Sequence, residues 1–313
     1  MRKFHYTLAV LIALLGLFDC QKNSSEPLRL GYLNGDLHQL PALVALEKGL
    51  FAENGLAVKV AGIFSAGPEE MSAFRAGELD LGYVGIAPAV SSVANTGTAV
   101  KIVSLVNQEG SSLVISSSDN QIHALADLAG NPIAIPGFST VQDFLLRLAW
   151  ENQNLKPDLL KIIVVKPPEM GETLHQGSIK AFIAWEPFPT LAISSGKGKI
   201  LVSSREIWPG HPCCVLIASG KTLKERPGLE DALKKTNREA IDFIRSNPDE
   251  AVKIAVKNTG MPDNVIREAM TRITYSPDIR REDLKRYVDF LARMGYVKIS
   301  DAEKFLDEIL LSR

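Results

Sequence analysis

The chain has 313 residues, 46% of them hydrophobic and 23% charged, with a formal net charge of −1 at pH 7. A balanced charge without any long basic run argues against a nucleic-acid partner. The 3 cysteines, two of them adjacent, supply no disulfide framework, so stability must come from apolar cores.

Arg2 and Lys3 precede an almost unbroken apolar run over 8–18, and Cys20 follows Leu17-Phe18-Asp19. This is the layout of a signal peptide over 1–20, and the run is well short of the ~20 residues that span a bilayer. Cys20 sits where the lipobox of lipoproteins places its lipidated cysteine, although Asp19 replaces the usual small residue before it. The polar stretch 21–27 reads as a tether between a membrane anchor and a folded body. The ~290 residues that remain suffice for two lobes of ordinary domain size.

Residues 28–33 alternate as a first strand and break at Asn34-Gly35-Asp36. Pro41 opens a helix that Gly49 stops, 56–60 is a second strand, and 62–67 is a loop. A helix then begins at Pro68, stops at Gly77, and is followed by an apolar strand and the turn Gly85-Ile86-Ala87-Pro88. Strands over 100–106 and 113–116 flank polar 107–112, the expected first crossing between lobes.

Pro132-Ile133-Ala134-Ile135 is the next strand, and Gly137 bends the chain out of it. Val141, Phe144, Leu145, Leu148 and Ala149 recur at helical spacing. Thr140 is the expected N-cap, with Asp143 completing an approximate capping box. A helix start of this kind offers free N–H groups and a positive dipole end to a ligand. After a strand at 161–165, residues 168–187 repeat the grammar of 68–88: helix, glycine stop, short apolar strand, proline-closed turn. The echo implies two lobes of similar build, with ligand-binding loops at the carboxyl ends of their strands. Residues 200–203 form another strand, and 213–218 form the return crossing. Helices opening at Pro227 and Pro248, and one over 281–294, are expected to pack on the first lobe.

Ordered motifs run through most of the mature chain: Pro41-Ala42, Glu47-Lys48-Gly49-Leu50-Phe51 with Gly55-Leu56, 76–82 (AGELDLG), Asp127-Leu128-Ala129-Gly130, 136–140 (PGFST), Glu186-Pro187 and 211–215 (HPCCV). In this the chain resembles solute-binding proteins of the nitrate, sulfonate and taurine class of ABC importers, in the superfamily that includes thiamine-precursor-binding proteins. Lys180 departs from the acidic residue usual after the second glycine. The resemblance implies an α/β fold of the two-lobed, type II periplasmic-binding kind. Each lobe is a mixed sheet flanked by helices, and the ligand cleft lies between them. Lobe 1 would comprise 28–112 plus 213–313, and lobe 2 would comprise 113–212. The implied partners are a small solute, a permease with its ATPase, and a membrane reached through lipidated Cys20, on the periplasmic or outer side.

A closing cleft needs contacts from both lobes. The first offers Asn34, Asp36, His38, Ser65 and the Gly85-Ile86-Ala87 turn. The second offers Gly137, Phe138, Ser139, Thr140, Trp185 and Glu186, and His211 joins them beside the return crossing. Asp36 and Glu186 oppose a bare anion and, if they face inward, favour a cationic or heteroaromatic solute such as a pyrimidine. Cys213 and Cys214 read as two small buried thiols in a strand, since a bond between neighbours is strained. No catalytic residue, cofactor or metal ligand is expected. The competing reading is an enzyme of the same fold, a thiamine-pyrimidine synthase or a menaquinone-pathway dehydratase. Against it stand the export leader and the lack of zinc-protease, hydrolase-elbow and phosphate-loop motifs.

Overall fold

The computed structural model describes residues 26–311. The leader 1–20, Cys20 and most of the tether lie outside the described residues. Eleven strands follow in chain order: Leu28–Leu33 (β1), Val58–Phe64 (β2), Leu81–Gly85 (β3), Val100–Glu109 (β4), Ser111–Ser116 (β5), Pro132–Ile135 (β6), Lys161–Val164 (β7), Ala181–Trp185 (β8), Gly198–Ser203 (β9), Pro212–Ser219 (β10) and Ile273–Tyr275 (β11). They form a six-stranded sheet in the order β11-β4-β10-β3-β1-β2 and a five-stranded sheet in the order β7-β6-β8-β5-β9. Both sheets are mixed: β1 runs parallel to β2 and β3, and β6 to β7 and β8, while β10 and β5 run antiparallel to their neighbours.

The echo in the sequence is an echo in structure. Helix Gly67–Arg75 leads to β3 and helix Ile86–Thr96, just as helix Pro167–His175 leads to β8 and helix Phe188–Ser194. Gly77 and Gly177 follow the two helix ends with φ of 73° and 75°, the left-handed turn that reverses the chain into each strand. The next residues differ. Asp80 accepts from the backbone N and side chain of Arg29 at 2.9 Å and from Thr222 at 3.1 Å, tying β1, β3 and helix Gly220–Glu225 together. Lys180 holds the matching place in the second lobe, 3.9 Å from Asp119.

Three expectations need correction. The stretch 62–64 is not loop, because β2 continues to Phe64 in register with Leu33. The turn 85–88 is the first turn of a helix, since Pro88 falls where a missing N–H costs nothing. The crossing is also much shorter than 107–112: β4 and β5 are separated by Gly110 alone, and the return passes between helix Ser204–Ile207 and β10. Glu109 stitches the two passages together, accepting from Gly210 N at 2.8 Å and Arg205 Nε at 2.6 Å.

The C-terminal helices do more than cover the first sheet. Helix Arg281–Arg293 brings Tyr287 and Phe290 to within 4.2 Å and 4.6 Å of the Phe144 ring, which belongs to helix Val141–Asn152 of the second lobe. Trp208 stacks on Tyr287 at 4.9 Å, so an aromatic cluster joins the lobes beside the crossings.

Gly110 has φ 83°, and a Cβ there would lie 2.4 Å from His38 Nε2. Gly97 has φ 66° with open space around it. Gly97→Ala should therefore cost only the left-handed backbone penalty of ~1–2 kcal/mol, and Gly110→Ala clearly more. Urea unfolding of the two variants measures the difference, and equal losses would show that the crossing tolerates displacement of His38.

Candidate functional site

The carboxyl ends of the parallel strands in both sheets converge on one cleft. From β1 the chain enters a short turn in which the Asp36 carboxylate accepts from His38 N at 2.8 Å, fixing both residues. From β3 it enters helix Ile86–Thr96 at Gly85, and from β6 it reaches Thr140, the N-cap of helix Val141–Asn152. β8 ends in Trp185. β10 starts at this same end because it runs antiparallel, with Cys214 opposite Gly85. Between these ends lies a small cavity of about 20 Å³, lined from the first lobe by Leu33, Asp36, His38, Gly67, Gly85, Pro88, Cys213 and Cys214, and from the second by Thr140, Val141, Gln142 and Trp185. A larger, polar hollow of about 450 Å³ near Asp119, His175 and Lys180 lies at the amino end of β8, away from where open α/β sheets bind ligands.

Of the residues singled out from the sequence, Asp36, His38, Gly85, Thr140 and Trp185 line this cavity. Ile86 and Ala87 are buried in the helix behind Gly85, and Gly137 and Ser139 form the bend before Thr140, with Ser139 N donating to Asp143 at 2.9 Å. Asn34 and Ser65 are exposed, and Phe138 is 52% exposed. Glu186, the residue after Trp185, is fully buried and does not line the cavity: Oε2 accepts from Thr190 N at 3.2 Å, and Oε1 lies 3.5 Å from Arg272 Nε. His211 is buried at the return crossing, where Tyr287 OH donates to the neighbouring Pro212 carbonyl at 2.8 Å. Thr140 Oγ1 is already committed, donating to Gly137 O at 2.7 Å and accepting from Asp143 N at 3.2 Å.

The sequence reading missed Glu70, Gln142 and the placement of Cys213 and Cys214. Glu70 is completely buried, with neither carboxylate oxygen hydrogen-bonded. Its spacing from Ala73 and Phe74 puts it on the inner face of its helix, a signal the periodicity carries. Gln142 is on the first turn of its helix and donates to Ser111 Oγ at 2.9 Å, bracing the helix start against β5.

The cleft has two electrostatic characters. Helices Gly67–Arg75, Ile86–Thr96 and Val141–Asn152 all begin at it, and each start carries N–H groups without intrahelical partners and a positive dipole end. Asp36, His38 and the sulfur atoms of Cys213 and Cys214 lie on its first-lobe side, and no lysine or arginine lines it. Burial raises Asp36 to about 7, partly offset by His38, and raises Glu70 well above the carboxylate range. Burial also raises Glu186 to about 7. For His38 burial opposes protonation, but the Cys213 thiolate and Asp36 outweigh it and raise the imidazole to about 9. The Cys213 thiol, penalised by burial, is nevertheless held well below its usual range by hydrogen bonds and charge from Cys214 and His38.

These acids make stability fall with pH. Between their ordinary values of 3.8 to 4.5 and their raised ones, Asp36, Glu70 and Glu186 keep a proton when folded and lose it when unfolded. The unfolded state then binds fewer protons, and the free energy of unfolding drops as pH rises. Carboxylates held low by partners, such as Asp80, act below about pH 4, whereas the lowered Cys213 and His211 oppose the fall inside this window but are outnumbered by the three raised acids. The urea midpoint should fall from pH 5 to pH 8, and Glu70→Gln should reduce that fall. An unchanged slope in the variant would show that Glu70 does not titrate there.

Comparison with known proteins places this geometry. The profile of the NMT1-like family matches residues 21–257. A protein named as a binding protein in Brucella abortus (strain 2308) is 29% identical over 252 residues, covering 80% of this chain and 77% of its own. The taurine-binding periplasmic protein of Escherichia coli (strain K12) is 24% identical over 245 residues, covering 75% of this chain and 74% of its own. The crystal structure of the periplasmic nitrate-binding protein NrtA from Synechocystis PCC 6803 superposes with a TM-score of 0.78 at 16% identity, over 91% of this chain and 86% of that one. The fold is the two-lobed α/β fold of periplasmic binding proteins, and by the extent of the profile match the chain belongs to the NMT1-like family.

Proposed function

We propose that this protein is the extracytoplasmic solute-binding subunit of an ABC importer and that its solute is a small zwitterion of the taurine kind. It captures the solute between its lobes and hands it to a permease driven by a separate ATPase, tethered to the membrane through Cys20. It carries out no reaction. The observation that carries the solute class is the split character of the cleft: three helix starts on its walls and the Asp36 carboxylate on its lining, with buried Glu70 behind it and no lining lysine or arginine. A bare sulfonate or nitrate would meet the helix starts favourably but would also face the Asp36 carboxyl, with Glu70 behind it. An aminosulfonate places its anionic end on the helix N-termini and its ammonium at Asp36, displacing the proton it holds. A cavity of about 20 Å³ holds about one water molecule, so capture requires the lobes to part at Gly110 and the return crossing. An aminopyrimidine is the second reading, favoured by Trp185, which lines the cavity with its indole Nε1 unpartnered.

A thermal-shift series with taurine, ethanesulfonate, nitrate and an aminopyrimidine tests the assignment, because a ligand of the native state alone raises the melting temperature. Taurine should give the largest shift and ethanesulfonate, which lacks only the amine, a much smaller one. Equal shifts from taurine and ethanesulfonate would remove the role given to the acids, and a shift from the aminopyrimidine alone would establish the second reading.

A further inference from the structure

We propose that the floor of the cleft binds one thiophilic metal ion, Zn²⁺ or a close relative, through Cys213 Sγ, Cys214 Sγ and His38 Nδ1. The three donor atoms all lie within 4.8 Å of one another, and Cys213 Sγ is 3.2 Å from His38 Nδ1. Edges of this length fit a small ion bonded to sulfur at ~2.3 Å and to nitrogen at ~2.0–2.1 Å.

The backbone makes the arrangement possible. Neighbouring side chains on a regular strand point to opposite faces, so adjacent cysteines would normally diverge. Here Pro212 is opposite Gln108, Cys214 opposite Asn107 and Val215 opposite Leu105, which leaves Cys213 as an extra residue without a partner on β4. That bulge brings the sulfur atoms together, and a strand opening on Pro212, which has no N–H to lose, tolerates it at little cost.

The histidine is prepared in the same sense. Its Nε2–H donates to Gly110 O at 2.7 Å, and the Asp36 carboxylate lies 3.8 Å from Nδ1. A carbonyl on the far ring nitrogen is the usual support of a metal-bound imidazole, because it fixes the ring and leaves the near nitrogen as ligand. All three residues are buried yet line the cavity, so an ion has a way in when the lobes part, and the fourth position faces the cavity. A disulfide between the same cysteines would span neighbouring residues under strain. Coordination uses both sulfurs without that strain, releasing the Cys214 thiol proton and the His38 Nδ1 proton to solvent while Cys213 binds as the thiolate it already is.

The test uses the full chain carrying Cys20→Ser, so that Cys213 and Cys214 are its only thiols, reduced and freed of metal before titration with Co²⁺ and then Zn²⁺. One equivalent of Co²⁺ should produce thiolate-to-cobalt charge-transfer absorption that Zn²⁺ abolishes. Surface histidines give cobalt no such band. Cys213→Ser and Cys214→Ser should each weaken Zn²⁺ binding by at least ~100-fold, the upper range seen for loss of mere supporting contacts, with circular dichroism reporting the fold. Absence of the band in the Cys20→Ser chain overturns the proposal whatever the variants do. So does a band of unchanged affinity in both serine variants. The readout needs no solute, so a negative taurine shift and a negative cobalt spectrum are separate results.

Discussion

One carbonyl oxygen holds the functional end of this molecule together. Gly110 O accepts from Glu186 N at 2.9 Å and from His38 Nε2 at 2.7 Å, at the only residue separating the first sheet's β4 from the second sheet's β5. The bond to Glu186 anchors the end of β8, and with it Trp185, to the crossing. The bond to His38 fixes the imidazole of the first lobe on that same point. Leu37 N, which donates to Glu186 O at 3.1 Å, closes the ring. A side chain at position 110 would occupy the space of the imidazole, so glycine here serves two needs at once: a left-handed turn and room for a ligand group. The strands, the acids and the sulfur atoms are placed relative to this junction.

The electrostatics of the cleft follow from topology. Strands that end together at one edge of each sheet must be followed by helices that start there, so positive helix ends gather wherever the carboxyl ends gather. The acids came from a different constraint. Asp36 caps the turn that presents His38, and Glu70 lies on the inner face of a helix whose other inward residues, Met71, Ala73 and Phe74, belong to the core. A buried carboxyl without a partner is costly when charged, which is why it holds its proton. A cationic group of the proposed solute would replace such a proton and so couple capture to proton release.

Much of this was legible in the sequence, because periodicity and punctuation act locally. The helix behind Thr140, the two glycine-stopped helices and the two short apolar strands each follow from spacing within a dozen residues, and the echo between 68–88 and 168–187 announced two lobes of one design. The illegible parts depend on distant partners. Strand β2 runs on through Gly62 and Ile63 only because β1 offers a ladder to Phe64. β11 is three residues long and exists by pairing with the last residues of β4. Helix Arg281–Arg293 reads as amphipathic, but nothing in its sequence says that Tyr287 meets Phe144 across the lobes. The adjacent cysteines are the sharpest case. Alternation on a strand assigns them to opposite faces, and only the register shift against β4 reverses that assignment.

The floor of the cleft therefore sets three cations against one another. On these proposals, protons, the ammonium of a zwitterion and a thiophilic metal would all seek the same small volume lined by Asp36, His38, Cys213 and Cys214. They differ in what they need. Protons need only burial, an ammonium needs oxygen acceptors within reach of an open cavity, and a soft metal needs sulfur and a fixed imidazole at short range. His38 is the group that separates these cases: as an imidazolium it neutralises the Cys213 thiolate, and as a neutral ligand it surrenders that role to the metal. The metal supplies positive charge in its place, so the floor keeps its balance and the acids remain available to the solute. On the proposed coordination, a single buried histidine, held by the crossing carbonyl, sets whether the floor carries an imidazolium–thiolate pair or a metal ion.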